Sequence, residues 1–162
     1  MNTGRKIFNT IFGPVCAAGV LFYTYDSNKE FRILIQRREN RIEDLGGKVD
    51  RKDIDIYDTA IREVYEETNK KISLSRKRLM SSKYMYLQMG KYMLFIVYAT
   101  KREFSITDFS DHEVCDYAID ALASSLCIKK REISWESISN LKDQEFNSRI
   151  NLEVIEKIRS VC

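Results

Sequence analysis

Histidine and proline are nearly missing from this chain: each occurs once in 162 residues. With His112 alone, and with Cys16, Cys115, Cys127 and Cys162 scattered without a C-x-x-C pair, the ligand spacings of a structural zinc site are lacking. The same scatter favours free thiols in a reducing compartment over a disulfide framework, so a cytoplasmic placement is expected. Long hydrophobic runs are scarce too. "RKIFNTIFGPVCAAGVLFYTY" (5–25) starts basic and turns apolar, but Asn9, Thr10 and Pro14 interrupt it. It is too short and too broken for a bilayer span, and its end in Tyr23-Thr24-Tyr25 reads as a buried strand rather than a signal peptide. No membrane partner is expected. Charge of one sign is also lacking. A net charge of +3, with 31% of residues charged, is too weak a bias to argue nucleic-acid binding by itself.

What is present suits one domain over residues 1–162, since 44% hydrophobic residues supply a real core. Strand-like runs at 15–25 and 31–37 flank the turn-rich "DSNKE". "KYMYLQ" and "KYMLFIVYAT", split by Met89-Gly90, read as a hairpin. "CDYAIDALASSL" has helical spacing, "REISWESI" reads as a short strand, and "NLEVIEKIRSV" as a closing helix with Ile155, Ile158 and Val161 inward. Strands with helices between them predict an α/β layered fold.

The chemistry gathers in "GGKVDRKDIDIYDTAIREVYEETN" (46–69), where a helix is expected over 56–68. At about 100° per residue, Glu67 lies near 40° from Glu63 and Glu66 near 300°, so the three carboxylates share one side. Tyr57, Ile61, Val64, Tyr65 and Thr68 fall at about 100–200°, the side expected to pack on a sheet. Like charges at these spacings cost a helix about 0.2–0.5 kcal/mol per pair. Glu66 and Glu67 also face the unfavourable end of the helix dipole. A bound divalent cation removes the conflict, because carboxylate oxygens at one-turn spacing suit Mg2+ or Mn2+. The bland alternative is a solvated acidic face partnered by Arg62 and Lys70. The flanks favour the metal. Gly46 and Gly47 let the backbone approach a ligand closely, Arg62 projects beside Glu66, and Asn69 tolerates the left-handed cap that stops the helix.

This segment resembles the Nudix box, G-x5-E-x7-R-E-U-x-E-E-x-G-U with U a bulky aliphatic residue. Gly47, Arg62, Glu63, Val64, Glu66 and Glu67 match it as they stand. Asp53 follows Gly47 at the right distance but lies one residue too far from Arg62; Asp55 is the alternative for that minor acidic position, with the insertion earlier in the loop. Asn69 replaces the last glycine and Lys70 the last aliphatic residue. "GVLFY" and "ILIQRR" before the box and "EISWESI" near the end also fit the family, whereas 105–130 matches nothing in it. The resemblance implies an α/β/α sandwich with a mixed sheet. It also implies Mg-dependent (or Mn-dependent) hydrolysis of a pyrophosphate bond in a nucleoside diphosphate linked to another moiety. Glu63, Glu66 and Glu67 would hold the metal, with Arg62 orienting Glu63. Gly46, Gly47 and Lys48 would approach phosphate, although Lys48 reads equally well as a solvated loop residue. The general base would be Glu66 or Glu67, or come from Asp111, His112 or Glu113 in "FSDHEV", where His112 reads first as a surface residue.

The box is most similar to those of mRNA-decapping Nudix enzymes, including those of large DNA viruses. Capped RNA is therefore the alternative to a small nucleotide substrate. "SLSRKRL" (73–79) and "IKKRE" (128–132) would follow an RNA backbone, and Tyr84, Tyr86, Tyr92 or Trp135 would stack a base. The decapping enzymes of cells carry an extra domain before the box and Pro-Lys-Gly-Lys within it, where this chain has Leu-Gly-Gly-Lys. A non-catalytic Nudix-fold binding module is the third reading, and the three retained glutamates speak against it.

Overall fold

The computed structural model describes residues 4–100, 102–104, 113–115, 128–147 and 149–162. A hairpin of β1 (Phe8–Thr10) and β2 (Gly13–Val15) comes first, followed by β3 (Ala17–Tyr25), β4 (Phe31–Arg38), β5 (Arg41–Glu43) and β6 (Leu45–Lys48). Helices α1 (Ile56–Glu67) and α2 (Arg76–Met80) precede the hairpin of β7 (Lys83–Leu87) and β8 (Tyr92–Tyr98). Then come β9 (Glu113–Cys115), β10 (Ile128–Ser137) and α3 (Leu152–Val161). The main sheet runs β7-β8-β3-β4-β10-β9. It is mixed, because β3 and β8 pair in parallel and the other neighbours antiparallel.

Both faces of this sheet are covered, which explains why β3 and β8 read as unbroken apolar runs. Ala18, Val20 and Phe22 of β3 and Met93, Phe95 and Val97 of β8 pack with Ile56, Ala60 and Val64 of α1. The alternate residues, Ala17, Leu21, Leu94 and Ile96, pack with Ile155 and Ile158 of α3. Helices on both faces make the α/β/α sandwich that the resemblance implied.

Some expected elements shift. The 15–25 strand is interrupted at Cys16, and Val15 belongs to the small hairpin, whose turn leaves Ile11 93% exposed. The strand containing "REISWESI" starts earlier, at Ile128, and stops before Ile138, where Ser137 caps a 3-10 turn. Asn151 caps α3 through the Val154 N–H at 2.9 Å, but Val161 is exposed rather than packed inward. The expected helix in "CDYAIDALASSL" falls outside the described residues beyond Cys115, which ends β9.

One feature of the sheet positions the site. β3 pairs with β4 only from Phe22 onward; its first half pairs with β6, placing Gly46 opposite Gly19 and Gly47 opposite Ala18. The Tyr92 hydroxyl sits where a Cβ on either Gly19 or Gly46 would lie, so only glycine admits this crossing of chain and phenol.

Candidate active site

Three aspartates lead into α1, and each has a donor. Asp55 is the N-cap: its Oδ1 accepts from the N–H groups of Tyr57 at 3.0 Å and Asp58 at 3.1 Å. Asp58 accepts from the Ile54 N–H, and Arg76 reaches both Asp55 and Asp58. Asp53 is buried and faces Arg62 with both oxygens, each at 3.0 Å from a guanidinium nitrogen. Its Oδ2 also accepts from the Asp50 N–H and the Thr59 hydroxyl, each at 2.8 Å. Burial pushes the Asp53 carboxyl up, but the Arg62 fork and these donors outweigh it and hold it below the usual range.

Arg62 ties that acid to Glu63 and Glu66. Its Nη1 donates to Glu63 at 2.8 Å and to Glu66 at 3.2 Å, and its Nη2 to the Lys48 carbonyl at 2.8 Å. A planar five-donor group can serve so many acceptors from one position. Gly47 lies directly over Glu63: a Cβ there would fall 2.5 Å from the carboxylate. Burial raises the Glu63 carboxyl despite Arg62 beside it.

Glu67 corrects the expected packing of the helix. The buried side chains of α1 are Ile56, Thr59, Ala60, Val64 and Glu67, a stripe centred about 35° from Glu63 rather than opposite the acids. Tyr65, assigned to the packed side, is 40% exposed. Glu67 points inward because partners wait there: the Gly46 N–H donates to it at 2.7 Å, and Arg131 lies 3.4 Å away. Burial pushes its carboxyl up to about 8, against the opposing pull of Arg131 and Gln36.

Glu63 and Glu67 open onto a cavity of about 500 Å3, together with Gly46, Gly47, Lys48, Glu43, Arg38, Arg131 and Arg149. Glu66 does not line it; its side chain is 47% exposed and shares the Arg62 Nη1 with Glu63. Among the described residues no three Asp, Glu, His or Cys side chains are arranged to hold a metal. Glu66 and Glu63 are drawn to Arg62, and Glu67 to Gly46. The donor set itself fits a hard divalent cation, with two carboxylates on one cavity wall and a third one turn away.

The sequence profile of the NUDIX domain matches residues 16–141, most of the chain. The chain belongs to the NUDIX family. No curated protein sequence matches it. Among solved structures, a Nudix hydrolase from M. smegmatis, RenU, shares 13% identity at a TM-score of 0.51, covering 96% of each chain. NrtR of Shewanella oneidensis shares 12% identity at a TM-score of 0.56, covering 91% of this chain and 63% of NrtR. NrtR complexed with a 27mer DNA gives 14% identity, a TM-score of 0.52, and 90% and 61% coverage. This chain thus spans less than two thirds of NrtR's length, and at such identities the likeness is one of fold.

Around the NUDIX helix, other expected groups are dispersed. Tyr92 is fully buried, with its hydroxyl on Asp44. Trp135 is also buried and donates to the Phe104 carbonyl at 2.9 Å. Neither can stack a base. Tyr84 is exposed, and the Tyr86 hydroxyl donates to the Pro14 carbonyl. In the run 73–79, Arg76 faces Asp55 and Asp58, and Arg78 faces Glu103. Asp111 and His112 lie outside the described residues, as does the side chain of Glu113.

Sequence reading missed Arg38, Glu43 and Arg149 on the cavity, and the buried Asp44 behind it. It grouped Arg131 with a surface run. No local signal marks Asp44, which follows another acid, Glu43, in the charged stretch 41–48.

Proposed function

We propose that this chain is a metal-dependent NUDIX pyrophosphohydrolase acting on a nucleotide-derived substrate. The observation that carries this reading is the cavity in which Glu63 and Glu67 face basic side chains across the Gly46–Gly47 ribbon. NUDIX hydrolases generally use divalent ions; here Glu63, Glu66 and Glu67 would hold Mg2+ or Mn2+. Bound there, the ion supplies charge neutralisation at phosphate oxygens and a more acidic water.

The protein's own groups do the rest. Arg62 orients Glu63 and Glu66. Asp53 takes the minor acidic position of the box, because it grips Arg62 while Asp55 caps the helix. Gly47 leaves room over Glu63, and Lys48 lines the cavity, where it can meet phosphate. The Gly46 N–H already donates to Glu67, so Gly46 places a carboxylate rather than a phosphate.

The test is divalent-dependent product release from a nucleotide panel, with Glu66→Gln and Glu67→Gln as variants. Both should abolish turnover while the circular dichroism spectrum is unchanged. Turnover surviving both substitutions would overturn the metal assignment, and an inert wild type would favour a binding module instead. Within the substrate class, small nucleotides are the better-supported members, because Tyr92, Trp135, Arg76 and Arg78 are engaged within the protein. Capped RNA is separated by comparing it with free cap analogue at two salt concentrations. A preference for the long substrate that fades with salt would support decapping.

A further inference from the structure

The loop that carries Asp53 is held from a distance. Within it, the Asp53 N–H donates to the Asp50 carbonyl at 3.2 Å, and the Asp50 N–H to the Asp53 carboxylate at 2.8 Å. The Lys52 N–H turns back onto the Asp50 carboxylate at 2.9 Å. None of these bonds uses the carbonyls of Arg51 and Asp53. Both accept from the ammonium of Lys6, the Arg51 carbonyl at 3.2 Å, across separations of 45 and 47 residues.

The small hairpin delivers Lys6 to that place. Phe8 packs against the core shared with Ile56, Ala60 and Val64 of α1, and its register partner Val15 is fully buried in the same core. Two residues before Phe8, the Lys6 ammonium lies 5.1 Å from the centre of the Phe8 ring. Among the described residues it forms no ion pair, although Asp50 and Asp53 belong to the loop it touches. Holding a lysine on backbone oxygens removes rotamer freedom that a surface lysine ordinarily keeps. Lys6 and β1 both lie before residue 16, where the family match begins.

What Lys6 holds is the backbone on either side of the Asp53 peptide. Asp53 in turn gives both carboxylate oxygens to Arg62, whose Nη1 serves Glu63 and Glu66. We infer that Lys6 is a positioning residue of the site. It fixes the 51–53 backbone, so that Asp53 keeps Arg62 in place and Arg62 presents Glu63 and Glu66 to a divalent ion. This rests on the metal-dependent reading above and extends it to a residue from outside the family's own span. Groups that orient the neighbours of a metal ligand act on its affinity without touching the ion.

The test uses the full chain with Lys6→Met, which keeps the length but not the donors, and Lys6→Arg, which keeps donors. Calorimetric titration with Mn2+ reads the metal site without turnover, and kcat and KM are taken on the most active nucleotide of the panel above. Lys6→Met should weaken Mn2+ binding by about threefold to tenfold, less than the loss typical of a direct neighbour of a metal ligand. kcat should fall to a similar extent with KM unchanged, and Lys6→Arg should restore most of both. With Asp53→Asn already in place, Lys6→Met should add nothing to either loss, because the line of contacts is then cut beyond it. A mere strut of the hairpin would instead lower the melting temperature in both backgrounds and leave Mn2+ affinity alone. Mn2+ affinity equal to wild type in Lys6→Met, or losses that add to those of Asp53→Asn, overturns the inference. Should Asp53→Asn not fold, the rescue decides: equal losses in Lys6→Met and Lys6→Arg overturn it. A wild type that neither binds Mn2+ nor hydrolyses a nucleotide strikes the metal-dependent reading, and this inference with it.

Discussion

Two acid triplets flank the middle of α1, Asp53, Asp55 and Asp58 before it and Glu63, Glu66 and Glu67 within and after it. In sequence they look alike. In the structure the first triplet is matched donor for donor: helix N–H groups, a threonine hydroxyl and two arginines satisfy it. In the second, Glu63 and Glu66 share one arginine and Glu67 lies beside another; two of the three line a cavity, and burial raises the carboxyls of Glu63 and Glu67. Acids at a helix start gain from its dipole and caps, whereas acids at its end do not. A carboxylate is structural at one end of the helix and, in the function proposed above, holds a ligand at the other.

The sharpest test of that division is Glu67→Gln beside Asp58→Asn. With several kcal/mol of charge stabilisation assigned to the metal site, Glu67→Gln should lower kcat by about a thousandfold or more. Its melting temperature should be nearly unchanged, since glutamine can still accept from the Gly46 N–H. Asp58→Asn should leave kcat as it is. Equal losses would erase the distinction between the triplets.

Asp53→Asn addresses the residue that joins them. Removing its charge leaves Arg62, which is 26% exposed, without its bidentate partner. The cost should be about 2 kcal/mol by denaturant unfolding, with turnover lowered about tenfold to a hundredfold because Glu63 and Glu66 lose their fixed orienter. The pH dependence has a definite sign. Asp53 is held below its ordinary value, so its contribution is present above that value and is lost as pH falls through its folded pKa. The variant should lack that part of the wild type's acid-side destabilisation.

How far the sequence reveals this site depends on the distance over which residues meet. The strands, the closing helix and the E-x-x-E-E spacing are local patterns, and they are readable because β3 and β8 are buried on both faces. The inward turn of Glu67 is not local. An apolar wheel cannot show it, since its partners, Gly46 and Arg131, lie far off in sequence. Arg149 and Tyr92 meet only because the loop before α3 is bonded to Ile42 of β5. Arg38 and Arg131 meet only through the register of β10 on β4. Asp53 and Asp55 were indistinguishable by spacing and separate at once by geometry, one on Arg62 and the other on the helix N–H groups.

A smaller effect belongs to Asp55→Ala, which removes an N-cap and should cost about 1 kcal/mol, with kcat retained. Loss of activity with stability intact would shift the minor acidic role from Asp53 to Asp55.

The smallest expected effect is at Arg76. It reaches Asp55 and Asp58 and lies 5.3 Å over the Tyr57 ring, but its side chain is 44% exposed. Ion pairs in that setting are screened by solvent and contribute little. Arg76→Gln should therefore change stability only slightly, and less at high salt. It also probes the basic run 73–79, because an arginine turned toward its own helix is not tracking an RNA backbone. If Arg76→Gln weakened binding of a long RNA and flattened its salt dependence, with free cap analogue unaffected, that arginine would be a phosphate contact. The first triplet would then have exchanged its partner for nucleic acid.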